Sequence, residues 1–148
     1  SELPYGNGIE VSVDEREFYV ASSGRPSVFA FANENPTRVL RHSEPLDFVP
    51  DNLRFGPDGQ LITAGLMADD ENCGDVREGE FDFAVFAACP RPFKVSRFDP
   101  ESMAETVLTH QPARAEFSNI TMAIVNENEL WIGTFGGDRV AIRSLRAH

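Results

Sequence analysis

Long apolar runs are missing from this chain. No stretch approaches the ~20 consecutive apolar residues that a membrane-spanning helix needs, and the first residues carry no signal-like segment. A mature secreted form, with its leader already removed, stays open. Basic residues are scarce too: 13 Lys and Arg stand against 24 Asp and Glu, a net charge of -11. The cations are scattered, so no basic patch is available for phosphates and no nucleic-acid partner is expected. Histidine is limited to His42, His110 and His148, which leaves few candidates for a general base. Cysteine occurs only at Cys73 and Cys89, without a Cys-x-x-Cys pair, which argues against a zinc site.

What is present is globular. At 148 residues, 41% hydrophobic and 10% aromatic, the chain has the composition of one domain with a sizeable core. Its most informative feature is a repeated phrase. Asn7-Gly8-Ile9-Glu10-Val11-Ser12-Val13-Asp14 leads into Glu17-Phe18-Tyr19-Val20-Ala21. Asp51-Asn52-Leu53-Arg54-Phe55-Gly56-Pro57-Asp58-Gly59 leads likewise into Leu61-Ile62-Thr63-Ala64-Gly65. Asp14 and Asp58 are 44 residues apart, and the same offset sets Asn7 opposite Asp51. A looser third copy runs from Ile120 to Val125, turns at Asn126-Glu127-Asn128, and continues through Glu129-Leu130-Trp131-Ile132-Gly133. Repeats of this length point to propellers or solenoids, and units built only of strands favour the propeller.

Strand signals come in groups of four. In the first unit, alternation and turn residues predict strands over 9–11, 18–21, 27–31 and 37–40. The second predicts 53–55 and 61–64, an interruption, then 93–98 and 105–108. The third predicts 120–125, 129–133 and 139–145, with no fourth strand. The expectation is all-β: three antiparallel blades over about 7–41, 51–109 (with an insertion at 67–91) and 118–146. Three blades are half of a six-bladed ring and leave sheet edges and apolar faces open. The missing half would be an N-terminal half-propeller, as a second chain, or a second copy of this chain.

Asn7-Gly8-Ile9 before a Ser-x-Asp turn, Pro50-Asp51-Asn52-Leu53 and Glu129-Leu130-Trp131-Ile132-Gly133-Thr134 resemble the six-bladed propellers of the paraoxonase/arylesterase and gluconolactonase/regucalcin families. Strictosidine-synthase-like proteins are more distant relatives of these. The resemblance covers the chain outside 67–91 and corresponds to the C-terminal half of those families. It implies Ca²⁺, or another divalent cation such as Zn²⁺ or Mg²⁺, in a central tunnel, polarising the carbonyl of a small-molecule lactone or aryl ester. By position, Asn7 matches the Asn ligand of the Asn-Gly-Ile motif and Asp51 the acidic ligand of both branches. Asn52 matches a ligand typical of the paraoxonase branch.

The chemistry is reasonable independently of the resemblance, because hard cations take six to eight oxygens from carboxylates, amide carbonyls and water. The structural alternative is that Asn-Gly and Asp-Asn are simply turn residues. The chain departs from the family pattern in one respect. Leu66 stands near the position where paraoxonases carry a His, and no other base is evident. Leu66, Met67, Ser118, Asn119 and Thr121 are candidates for lining the tunnel. The rival expectation is a propeller that binds at its rim without catalysis, as strictosidine-synthase-like members do.

The insertion opens with the acidic run Met67-Ala68-Asp69-Asp70-Glu71-Asn72-Cys73-Gly74-Asp75 and closes with Glu80-Phe81-Asp82-Phe83-Ala84-Val85-Phe86-Ala87-Ala88-Cys89-Pro90. The acidic run reads as a solvated loop or a second cation site. The Phe-rich stretch reads equally as strand or short helix, and the whole as a lid or as packing on a flank. Cys73 and Cys89 bracket it either as a disulfide or as two thiols. The first fits a periplasmic or secreted setting and the second a cytoplasmic one.

Overall fold

The computed structural model describes residues 3–78, 80 and 82–145. Phe81, Arg146 and His148 lie outside the described residues. The chain is all-β, with several antiparallel sheets. The first sheet takes its strands in chain order: β1 (Gly6–Val11), β2 (Glu17–Ser22), β3 (Ser27–Ala32) and β4 (Asn35–His42). The second is built from β5 (Phe48–Phe55) and β6 (Leu61–Met67), then β9 (Phe93–Phe98) and β10 (Glu105–Gln111). Between them the insertion forms β7 (Asp69–Asp70), β8 (Gly74–Asp75) and helix α1 (Phe83–Ala88). A three-stranded sheet follows, of β11 (Ile120–Asn126), β12 (Glu129–Thr134) and β13 (Ala141–Ser144). Among the described residues the sheets do not close into a barrel, and no helix is long and apolar enough to cross a membrane.

Local chemistry makes the hairpins. Between β5 and β6, Gly59 adopts φ 77°, a conformation open to glycine because it lacks Cβ. Its N–H donates to the Gly56 carbonyl at 3.0 Å, and the Asp58 carboxylate accepts from the Gln60 N–H at 3.2 Å. Between β1 and β2, the Ser12 hydroxyl donates to Asp14 at 2.8 Å and accepts from the Glu17 N–H at 3.0 Å. Pro36 falls inside β4, which is tolerated because β4 is the edge of its sheet and needs no donor there.

The three larger sheets stack face to face, and the two stacking seams are the main core. Tyr19, Ala21, Val28 and Ala30 of the first sheet meet Phe48, Leu53, Leu61 and Phe98 of the second. From the other face of the second sheet, Ile62, Ala64, Phe93 and Val95 meet Ile120, Ala123, Leu130 and Ile132 of the third. Leu61 and Ile62 therefore serve opposite seams, as the period of two along a strand requires. The middle strands β3 and β6 are buried almost throughout, which is why they read as continuous apolar runs. One ion network ties the first seam. Arg41 donates to both Glu17 carboxylate oxygens, at 3.0 and 2.5 Å, and to the Pro100 carbonyl in the β9–β10 connection of the second sheet at 2.8 Å.

The outer faces of the stack are apolar, but the first is largely covered by its own side chains, Val20, Phe29 and Phe31 being buried there beside Phe18 and Val39. Ile9, Val11 and Val13 are exposed at the first sheet, and Met122, Ile124 and Ile142 at the third. Most observed strands run longer than the sequence pattern suggests, above all β5, which begins at Phe48 rather than Leu53, whereas β13 is shorter than the expected 139–145 because its pairing with β12 ends at Ile132–Ala141. The open question over the Phe-rich stretch resolves as helix. The Asp82 side chain caps the N–H groups of Ala84 and Val85, at 2.8 and 3.2 Å.

Candidate functional site

The first strand of each large sheet is irregular at the same place. In β1, Asn7 and Gly8 oppose one residue of β2, between the pairs Gly6–Ser22 and Ile9–Val20. In β5, Asp51 and Asn52 oppose one residue of β6, between Pro50–Gly65 and Leu53–Thr63. In β11, Thr121 is the extra residue between Ile120–Thr134 and Met122–Gly133. Such bulges re-aim side chains and expose backbone groups that a regular ladder would pair.

These irregularities touch one another. A Cβ on Gly8 would lie 2.4 Å from both the Asp51 carbonyl oxygen and the Leu53 nitrogen, so only glycine admits the β5 bulge so close to β1. The Asn52 amide nitrogen donates to the Thr121 carbonyl at 3.2 Å and to the Asp51 carboxylate at 3.2 Å. The Thr63 hydroxyl donates to the freed Asn52 carbonyl at 2.8 Å. The Ser23 hydroxyl donates to the Pro50 carbonyl at 2.9 Å, and Asn7 Nδ2 donates to the same hydroxyl oxygen at 3.3 Å. Asn7, Asp51, Asn52 and Thr121 thus belong to one neighbourhood spanning three sheets.

Donor and acceptor roles fix both amides. Because the Ser23 proton goes to Pro50, its oxygen can only accept from Asn7, which turns the Asn7 Oδ1 away. Asn52 faces two acceptors with its nitrogen, which frees its Oδ1 in the same way. Asp51 is half-buried, and burial alone pushes its carboxyl up from 3.8 to about 6. A carboxylate removed from water without a cationic partner is costly to ionise. Among the described residues no cluster of three or more His, Cys, Asp or Glu could hold a metal. The set here is one carboxylate with two amides.

The remaining candidates differ in their surroundings. Leu66, Ser118 and Asn119 are buried within the chain, and Met67 and Thr121 are half-buried. Thr134 Oγ1 donates to the Ser118 carbonyl. Asn119 holds the insertion: its Nδ2 donates to the Cys89 carbonyl at 3.1 Å and its Oδ1 accepts from the Arg91 N–H at 2.9 Å. His42 and His110 lie on β4 and β10, the outer strands. Three strand spacings, roughly 14 Å, separate them from the bulged first strands.

Two groups carry more of the architecture than their place in the sequence suggests. One is Ser23, in the turn after β2. The other is Arg91, buried beneath the insertion, whose guanidinium donates to the carbonyls of Met67 and Ala68 at 3.3 Å and of Gly74 and Cys73 at 2.8 Å. Burial holds its pKa below the usual arginine value, opposed by the charges of Asp70, Asp75 and Asp69 nearby. The acidic run is therefore in part a counter-charge to Arg91. The signal was present as an acidic stretch followed by Arg77 and then Arg91, but carbonyl acceptors leave no mark in a sequence, and Arg77 pairs with Asp75 instead. Cys73 and Cys89 are disulfide-bonded, with Cα atoms 5.9 Å apart.

No protein-family model matches the chain, and no curated protein matches it. Among solved structures, the chain is similar to a Bacteroides uniformis protein described as a "putative 6-phosphogluconolactonase", at 15% identity and a TM-score of 0.36. The match covers 95% of this chain and 50% of that one, so the chain spans half the length of that protein.

Proposed function

We propose that this chain forms three blades of a six-bladed β-propeller that hydrolyses lactones or aryl esters with a divalent cation, calcium first, held at the first-strand bulges. The observation that carries the reading is the orientation of the two amides beside Asp51. Their nitrogens are engaged by protein acceptors, and their oxygens are left to join a carboxylate that has no cation of its own. An all-oxygen set with one charge fits a hard cation such as Ca²⁺ or Mg²⁺ better than Zn²⁺, which favours nitrogen and sulfur. Asn7, Asp51 and Asn52 would hold it, the remaining oxygens coming from water or from the other half of the ring. That half is an N-terminal half-propeller or a second copy, and the exposed apolar residues along β1 and on the third sheet support its existence.

When bound, such a cation supplies Lewis-acid polarisation of the substrate carbonyl. The residues of this chain do the positioning. Ser23 aims Asn7, Thr121 and Thr63 fix Asn52, and the bulges bring both to Asp51. The disulfide supports an oxidising, periplasmic or secreted setting. The distance of His42 and His110 from the bulges favours one second reading, a propeller that binds ligand here without turning it over.

Calcium titration of the assembled wild-type protein and of Asp51→Ala tests the ligand assignment, and unchanged affinity would remove it. Lactone and aryl-ester hydrolysis with and without chelator separates the two readings. An enzyme loses turnover with its cation, whereas a binding propeller has none to lose.

A further inference from the structure

Helix α1 has an odd composition for its position: Phe-Ala-Val-Phe-Ala-Ala, with none of the six residues buried. Phe83 is 65% exposed, Val85 68% and, beside them after β12, Phe135 43%. The rings of Phe83, Phe86 and Phe135 lie 6.0 to 6.5 Å apart, with interplanar angles of 24° to 38°. Together they make a small, ordered aromatic platform facing water.

The platform is firmly held. The Cys73–Cys89 bond closes the loop beneath it, Asp82 caps the helix, and the Asn119 amide and the Arg91 guanidinium bind its base. It also stands at a particular end of the sheets. The insertion leaves β6 at Met67, which pairs with Phe48 at the start of β5. Phe135 follows Thr134, which pairs with Ile120 at the start of β11. Asn119, which grips the insertion, is two residues from Thr121, about 7 Å along a strand, and Thr121 accepts from Asn52. The aromatic platform and the bulge site therefore share one end and one brace.

Area decides between a macromolecular and a small occupant. At these exposures the aromatic side chains and Val85 offer on the order of 350 Å², whereas a stable protein interface needs about 800 Å² from each partner. A single alkyl chain or aryl ring is the better fit. Resting on the lactone and ester reading above, we infer that Phe83, Phe86 and Phe135 form the apolar wall of the Asp51–Asn52 site. They select substrates that carry an alkyl or aryl substituent on the lactone or acyl group.

The experiment compares γ-butyrolactone with γ-decalactone on the assembled wild-type protein and on Phe83→Ala, Phe135→Ala and Phe83→Leu. The expected result is that both alanine variants lower the long-to-short ratio of kcat/KM by about tenfold, the scale set by lost apolar contacts in a pocket, and that Phe83→Leu restores most of it. An unchanged ratio overturns the wall. Calorimetric binding of the same two lactones is measured in parallel. If the wild type hydrolyses neither, the hydrolase reading falls, and the wall is then judged by whether the alanine variants lose the binding preference for decalactone. Equal binding of the two lactones by the wild type overturns the wall whatever the turnover.

Discussion

The Asn52 amide bridges the Asp51 carboxylate and the main-chain oxygen of Thr121, joining two sheets through residues 69 positions apart in sequence. One side chain thereby sets the geometry of the acid beside it and the spacing of the strands around it. Replacing Asn52 by Asp keeps its size but removes the donor and sets two carboxylates together. Asn52→Asp should lower unfolding stability by about 2 kcal/mol at pH 7, and by less at pH 5, where one acid takes a proton. Urea titrations at the two pH values check this, and equal losses would argue against the contact.

Asp51 should make stability depend on pH in an unusual direction. Its folded pKa of about 6 lies above the ordinary 3.8, so the folded chain holds the proton more tightly than the unfolded one. The stabilisation is complete below about pH 4 and is lost as pH rises through about 6. Asp51→Asn should therefore be more stable than wild type at pH 7.5 without calcium, by about 1 kcal/mol after allowance for solvent screening at this half-exposed position. The advantage should vanish at pH 4. Denaturant midpoints across that range, with and without millimolar calcium, provide the measurement.

Gly8→Ala should be severe for its size. The added methyl meets backbone atoms of Asp51 and Leu53 at 2.4 Å, and backbone cannot rotate aside as a flexible side chain can. A loss of about 3 kcal/mol or more is expected, together with weakened calcium binding as β1 and β5 separate. Thermal unfolding of the variant at the wild-type temperature would contradict the close approach.

Under the insertion, Arg91→Ala would take a donor from four carbonyl oxygens, of which Ala68 keeps the Val76 N–H at 2.9 Å. A loss of about 2–4 kcal/mol follows from the lost charge-assisted hydrogen bonds together with the space left by the side chain. Reduction of the Cys73–Cys89 bond should act more locally. Amide hydrogen exchange should quicken across residues 73–89 while β6 and β9 stay protected. Uniform loss of protection would mean that the insertion is integral to the second sheet.

The all-β character and the three-sheet division were legible because apolar alternation and Gly, Pro and Asp turns are local signals. Pro57-Asp58-Gly59 announces its hairpin without help from the rest of the chain. The bulges were not legible. Whether Asp51 and Asn52 face one partner residue or two depends on β6, and nothing in the phrase itself records that register. The repeat offset set Asn7 opposite Asp51, but the link through Ser23 runs by way of a main-chain carbonyl. The Phe-rich stretch defeated periodicity because six residues are too few to separate a period of two from one of 3.6. Arg91 stayed hidden for the same reason as Ser23: its acceptors are carbonyls, which every residue has.

Each large sheet is a run of neighbouring segments, finished before the next begins. A chain leaving the ribosome can therefore pair the four segments of one sheet without waiting for distant ones, and order accumulates sheet by sheet in chain order. The late step is stacking. Synthesis that halts just before Phe48 would release a complete sheet with Tyr19, Ala21, Val28 and Ala30 uncovered, the species a chaperone would be expected to grip.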